Sequence, residues 1–536
     1  MSGTIPARLR AVAAQHRDRP ALVDGGADEV VTLTFGELVE KANDAARAFI
    51  AAGIEPGDRV AIWAPNTWEW VVALHGLQAA GAVLVPLNTR YKGTEAAHIL
   101  GSSRARLLLT VEGFLGNDYV SMLRRAEEPD GSLEHLERIV VLRGEVPDGC
   151  VTWTDFLAAG DVVEPAEVDR RVDALGEGDL ADLLFTSGTT GAPKGVMCTH
   201  GQTTRAYEAW ASTVGLREDD RYLVVNPFFH SFGYKAGIVA SLLVGATIYP
   251  EAVFDVPKVI ASIAEHRITV LPGPPTLYQA IINHPDLDVA ALESLRLAVT
   301  GAAVVPVELI GQMSEVLGFD TVLTAYGLTE ACGVVTVSDH DADRDTIANF
   351  CGRAIPGVEL ATFDESGSPT RRMEPGEVVV RGFNVMLGYF EDPERTAEAI
   401  DAEGWLHTGD IGVLDERGYL RITDRAKDMF IVGGFNAYPA EIESLMLEHP
   451  SVAQVAVVGV PDERMGEVGY AFVVPTPDAL PTPLDLIDWA REHMANFKAP
   501  RHVELVETLP LNASGKVLKN ELREQALAAV TNEGDG

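Results

Sequence analysis

Cysteine is scarce in this chain. The four residues Cys150, Cys198, Cys332 and Cys351 are spaced too widely for a disulfide framework or the close pairs of a zinc site. A reducing, cytoplasmic setting is the expectation. Positive charge is also in short supply: 42 Lys and Arg face 79 Asp and Glu, a net charge of −37. A field of that sign argues against nucleic acid and against stable membrane association. Any polyanionic ligand must then be held by locally placed cations and backbone N–H groups. No apolar run approaches the roughly 20 residues that cross a bilayer. The N-terminal MSGTIPARLRAVAAQ lacks a signal-peptide core, and the C-terminal NEGDG carries no lipidation or peroxisomal signal. Internal repeats and low-complexity tracts are missing too. What is present is enough apolar residue, 47%, to build a packed interior, on a length of 536 that exceeds one compact core, so two or more domains are expected.

Thr34 to Glu37 reads as a capping box, followed by an apolar stripe of Leu38, Ala42, Ala45, Phe49 and Ile50 that stops at Gly53. Buried-strand patterns at 60–63, 82–87, 221–225, 269–271, 297–300 and 321–323 alternate with helical ones. That alternation predicts an α/β fold with mainly parallel sheets and ligand loops at the strand ends. From about Asp424 the pattern shifts to a smaller α+β unit, with helices over 440–449 and 484–496 and strands over 452–460, 466–474 and 503–506. The expected division is a large N-terminal domain over 1–424 and a small mobile C-terminal domain over 425–536. No long linker separates them, so the junction is a short hinge.

The sharpest chemical signal is TSGTTGAPKG, Thr186 to Gly195, directly after a strand-like LLF. Its glycines and hydroxyl residues (Thr186, Ser187, Gly188, Thr189, Thr190, Gly191) can wrap phosphate oxygens, and Lys194 supplies a cation. The glycine spacing does not fit a Walker A loop. This string resembles the phosphate loop of the adenylate-forming superfamily of acyl-CoA synthetases, luciferases and peptide-synthetase adenylation domains. Seven further blocks follow in that family's order: NPFFHSFG, TGAAVVP, YGLTE, GEVVVRGFNVMLGY, GWLHTGD, DRAKDMFIVGGFNAYPAEIE and NASGKVLK.

The resemblance implies the chemistry. A carboxylate attacks the α-phosphate of ATP, and coenzyme A then takes the acyl group. Stabilising the charge of that first step is mainly positioning and electrostatics. By resemblance Glu330 holds Mg²⁺ and Thr329 bonds the α-phosphate. Gly301, Ala302 and Ala303 admit the adenine, with Tyr326 and Gly327 beside it. Asp410 grips the ribose, and Arg425 reaches ribose or phosphates. Lys516 bridges the substrate carboxylate and the α-phosphate. Lys427 is the hinge about which the small domain turns, and Gly433 and Gly434 line the coenzyme A channel. His230 guards the acyl entrance, with no duty as a general base because the acid is already ionised.

Gly327 stands where acetate-specific relatives carry tryptophan, which implies room for a large acyl group shaped by Phe232, Tyr234 and Ala236. Lys235, amid apolar residues, is read as pointing to solvent, with contact to a polar atom of a ring substrate as the alternative. The blocks NPFFHSFGYKAG, LPGPPTLYQ and LTAYGLTEA are particularly similar to actinobacterial ligases that activate the propanoate side chain of the methylhydrindanedione left by steroid ring degradation. Medium-chain fatty acids, aryl acids and the loading of a carrier protein stay open, as does a homodimer.

Overall fold

The structure, a computed structural model, describes residues 3–25, 30–126, 133–186, 193–301, 307–364, 366–425, 430–476, 481–510, 517 and 519–533. They form two compact units. One spans most of the chain to Thr423, and the other gathers Asp424 onward with Arg90–Ala96 and Thr186–Lys194.

The first unit begins as its sequence requires. Thr34 and Glu37 close the capping box, Thr34 N donating to Glu37 Oε2 at 2.8 Å and Glu37 N to Thr34 Oγ1 at 3.2 Å. The helix Phe35–Ala51 then buries Leu38, Ala42, Ala45 and Phe49. It packs on the helix Trp68–Ala79 so closely that a Cβ on Gly76 would stand 2.5 Å from the Ala45 Cβ.

A nine-stranded sheet follows, in the order Gly388–Tyr389, Lys194–Thr199, Leu180–Thr186, Val83–Pro86, Arg59–Trp63, Leu107–Phe114, Arg138–Arg143 and Val151–Thr152, with Asn117–Asp118 paired at the side. Arg59–Trp63 lies parallel to both neighbours, as helix–strand alternation dictates. A four-stranded sheet joins Arg221–Val224, Thr247–Pro250, Pro20–Asp24 and Val31–Thr34; another joins Leu297–Gly301, Thr321–Tyr326, Thr336–Val337 and Arg353–Ala354. The predicted strand over 269–271 is reduced to single parallel bridges from Val270 to Tyr222 and to Leu297. Around these strands sits an apolar core that includes Leu223, Ile263, Tyr278, Ala298, Met313 and Phe319.

One sheet of this unit departs from the mainly parallel order. The strands Val358–Phe363, Gly376–Gly382, Leu406–Leu414 and Leu420–Arg425 form a separate sheet whose recorded pairings are antiparallel, so parallel order governs only part of the unit.

In the second unit the helices Pro439–Met446 and Pro483–His493 accompany a five-stranded sheet. Its long strands Val452–Asp462 and Gly466–Pro475 are antiparallel, and His502–Leu505 runs parallel to the latter. Among the described residues no helix is long and apolar enough to cross a membrane.

Candidate active site

The strand Leu180–Thr186 leads into the glycine-rich loop. Ser187, Gly188, Thr189, Thr190 and Gly191 lie outside the described residues, as do Ala302, Ala303, Lys427 and Lys516; so does the side chain of Arg425. Thr186 and Lys194, at the two ends of the loop, are both half-buried.

Two adjacent parallel strands carry the next candidates. Gly301 ends Leu297–Gly301 opposite Ala325 of Thr321–Tyr326, and a Cβ on Gly301 would meet the Ala325 carbonyl oxygen at 2.5 Å. The close backbone approach demands glycine here. One residue beyond Ala325, Tyr326 donates its hydroxyl to Asp410 Oδ2 at 2.7 Å. Its ring packs against Val378, Leu414 and Leu420 of the antiparallel sheet. Burial first, and the Asp410 carboxylate second, hold the Tyr326 phenol well above its ordinary range, so it remains a donor.

Asp410 sits in a braced irregularity of the strand Leu406–Leu414. Thr408 Oγ1 donates to the Val378 carbonyl at 2.7 Å and accepts from Asp410 N at 3.1 Å, while Gly409 N donates to Glu377 Oε1 at 3.0 Å. His407 Nδ1 lies 2.9 Å from Glu377 Oε2, and its Nε2 lies 3.5 Å from Asp401. Burial opposes the imidazolium, but these two carboxylates outweigh it and raise the His407 pKa.

Thr329 and Glu330 lie on a single 3₁₀ turn, Thr329–Ala331. Tyr389 Oη donates to Glu330 Oε1 at 3.0 Å, and Met386 N donates to the Glu330 carbonyl at 2.8 Å. Among the described residues no group of three or more His, Cys, Asp or Glu is assembled for a metal. A single hard carboxylate suits a magnesium ion that takes its remaining oxygens from phosphate and water.

The pocket candidates divide. Phe232 is half-buried, whereas Tyr234 has no exposed surface and Ala236 has 2%. Tyr234 accepts a hydrogen bond from Gln78 at 3.0 Å inside the core, so Phe232 is the one of the three with surface to offer a ligand. Gly327 has a local reason of its own: a Cβ there would stand 2.2 Å from the Gly333 carbonyl oxygen. The turn itself therefore excludes larger residues, whatever the size of the acyl group. His230 is exposed, and its Nδ1 accepts from Phe232 N at 3.1 Å.

Lys235 corrects the sequence reading. It is fully buried and lies 2.9 Å from the equally buried Asp182. A lysine and an aspartate each isolated in an apolar run cannot stay charged in a core unless they meet, and that was the signal available.

In the second unit, Gly433 (φ +56°) and Gly434 (φ +86°) form the two-residue turn between Phe430–Val432 and Phe435–Ala437. Positive φ at both central residues is the I′ hairpin geometry that glycine serves best. Also in that unit, Lys498 lies buried at 2.7 Å from both Glu95 and Glu441, a charged cluster that sequence reading passed over.

The sequence pattern of the AMP-binding enzyme family matches residues 9–390, and that of the AMP-binding enzyme C-terminal domain matches residues 441–516. The chain is 49% identical over 524 residues to the 3-[(3aS,4S,7aS)-7a-methyl-1,5-dioxo-octahydro-1H-inden-4-yl]propanoyl:CoA ligase of Rhodococcus jostii, with 97% of this chain and 98% of that one covered. It is 50% identical over 521 residues, at the same coverage, to the ligase of the same name from Mycobacterium tuberculosis. Among solved structures, o-succinylbenzoate CoA synthetase from Bacillus subtilis superimposes with a TM-score of 0.79 at 29% identity, covering 98% of this chain and 99% of that one.

Proposed function

Because this chain belongs to the AMP-binding enzyme family and is an AMP-forming acid–thiol ligase, we propose that its acid is a bulky cyclic propanoate of the methylhydrindanedione type. The observation that carries this reading is the near-50% identity, along almost the whole chain, to two ligases named for that substrate.

The acid and ATP give acyl-AMP and pyrophosphate; coenzyme A then displaces AMP to give the thioester. In this reading Tyr326 and Asp410 hold the adenosine, with the hydroxyl-to-carboxylate bond keeping one Asp410 oxygen in register. Thr186 and Lys194 act with the loop between them on the phosphates. Magnesium, when bound, offsets phosphate charge, and Glu330 is the residue that would hold it. Lys516 bridges carboxylate and α-phosphate in the first step, Lys427 is the hinge, and Gly433 and Gly434 line the thiol's approach. His230 acts as a gate at the acyl entrance, and no base is needed because the acid is already ionised. Cytoplasmic residence and a homodimer belong to the same proposal. Four free cysteines support the former, and light scattering tests the latter.

The test is to supply ATP, Mg²⁺, coenzyme A and a panel of acids: the bicyclic propanoate, medium-chain fatty acids and aryl acids. The bicyclic acid should lead in kcat/KM by at least about 100-fold, the order that a difference of a methylene or two in a fitted pocket produces. A fatty or aryl acid in first place would overturn the assignment.

A further inference from the structure

Resting on that reading of Glu330 and the phosphate loop, we propose that the buried Lys235–Asp182 pair is a positioning device that ties the strand leading toward that loop and the turn bearing Glu330 to one interior point.

Three segments converge on Lys235. Asp182 belongs to the strand Leu180–Thr186, four residues ahead of the glycine-rich loop. Lys235 sits within the π-helical stretch Phe232–Val239, which begins just after His230. Such wide turns are uncommon and cluster at functional sites. The third segment is the turn bearing Glu330. Lys235 Nζ lies 3.4 Å from Cys332 Sγ, and Cys332, two residues past Glu330, adopts φ +56° to end that turn.

Neighbouring groups leave the turn little freedom. Thr203 Oγ1 is 3.5 Å from Cys332 Sγ, and Tyr207 Oη donates to the Cys332 carbonyl at 3.2 Å. A Cβ on Gly333 would stand 2.6 Å from Tyr207 Oη and 2.8 Å from Ser231 Cβ. On the other side, Gln78 Nε2 bonds the Ala181 carbonyl at 3.3 Å and Tyr234 Oη at 3.0 Å. The residues flanking each charge are thereby held to one another.

Stability alone does not call for the pair. Both side chains have no exposure and approach to 2.9 Å, with the Tyr234 and Thr203 hydroxyls beside the carboxylate. A buried pair repays its desolvation only in part, and apolar residues of similar volume often replace it at no loss. What apolar residues cannot do is hold a strand, a wide helix and a metal-bearing turn to one charge-defined point.

The double variant Lys235→Met with Asp182→Leu separates the two roles. Either single change strands a buried charge and should lower the unfolding temperature. The double change should regain it to within a few degrees. Positioning predicts that the refolded double variant still loses about 10- to 100-fold in ATP–pyrophosphate exchange, with the Mg²⁺–ATP requirement raised. A double variant with the normal rate and normal Mg²⁺–ATP dependence would overturn the inference. Should the double variant not fold, Cys332→Ser, which keeps an acceptor for Lys235, is compared with Cys332→Ala, which removes it. Serine near the natural rate and alanine several-fold below supports the tie, and equal rates reject it. Glu330→Gln, measured in parallel, distinguishes the failures. If it leaves exchange intact, the site reading itself falls and takes this inference with it. If it stops exchange while the double variant behaves normally, only the positioning role falls.

Discussion

The Tyr326 hydroxyl and the Asp410 carboxylate meet at 2.7 Å although 84 residues separate them, because the end of the strand Thr321–Tyr326 and the middle of the strand Leu406–Leu414 converge there. The bond fixes one carboxylate oxygen. Tyr326→Phe should raise KM for ATP about 3- to 10-fold with a smaller change in kcat, as expected for loss of one hydrogen bond to a charged group. Asp410→Ala should all but abolish ATP binding in a calorimetric titration. An unchanged KM in the first variant would show that the tyrosine acts only through packing.

Gly301→Ala drives a methyl group toward the Ala325 carbonyl oxygen, 2.5 Å from where the Cβ would stand. The two strands must part or the backbone twist, at about 1–3 kcal/mol. Denaturant unfolding should register that loss, and pyrophosphate exchange should fall by more than the stability loss explains, since the same strand end faces the proposed adenine site.

Lys516→Ala should reduce adenylate formation at least about 100-fold while leaving thioester formation from supplied acyl-adenylate largely intact. Assaying the two half-reactions separately decides it; equal loss in both would contradict the division of labour.

Gly434→Leu meets two obstacles, the φ of +86° and the proposed thiol path. Adenylation should persist while thioester formation slows. Gly434→Asn, whose short side chain tolerates left-handed backbone, should fold better and slow thioester formation less. If the leucine variant transfers the acyl group to coenzyme A at the normal rate, the channel assignment is wrong and the hairpin alone explains the glycine.

His407 gives stability a pH dependence with a definite sign. Its folded pKa is raised above 6.5 by Glu377 and Asp401 against the opposition of burial. Its contribution is therefore complete below about pH 6.5 and disappears as pH rises through the folded value. His407→Gln should destabilise the protein more at pH 6 than at pH 8.5, by a few tenths to about 1 kcal/mol, since solvent screens the site. A pH-independent difference would remove the ion pairs from the account.

Local signals were legible where one segment contains its own reason. The capping box at Thr34 and Glu37 announced the helix from Phe35, and the apolar runs at 60–63 and 82–87 announced central strands. Even so, the antiparallel order of Val358–Phe363, Gly376–Gly382 and Leu406–Leu414 went unread, because hydrophobic alternation does not say which neighbour a strand will pair with. Tyr234 and Ala236, proposed for the acyl pocket, are both buried, and sequence cannot separate a pocket wall from a core position because an apolar residue looks the same in either place.

By itself the sequence determined the reaction class, through a proposed phosphate loop, an acid after YGLT, an acid after HTG and a lysine near the C-terminus, each with its reason in charge and donor type. Only the tertiary structure decided which charges are partners. Lys235 was expected in solvent and lies in the interior. Its counter-ion Asp182 is 53 positions away, and Coulomb attraction depends on distance in space, which no local pattern encodes.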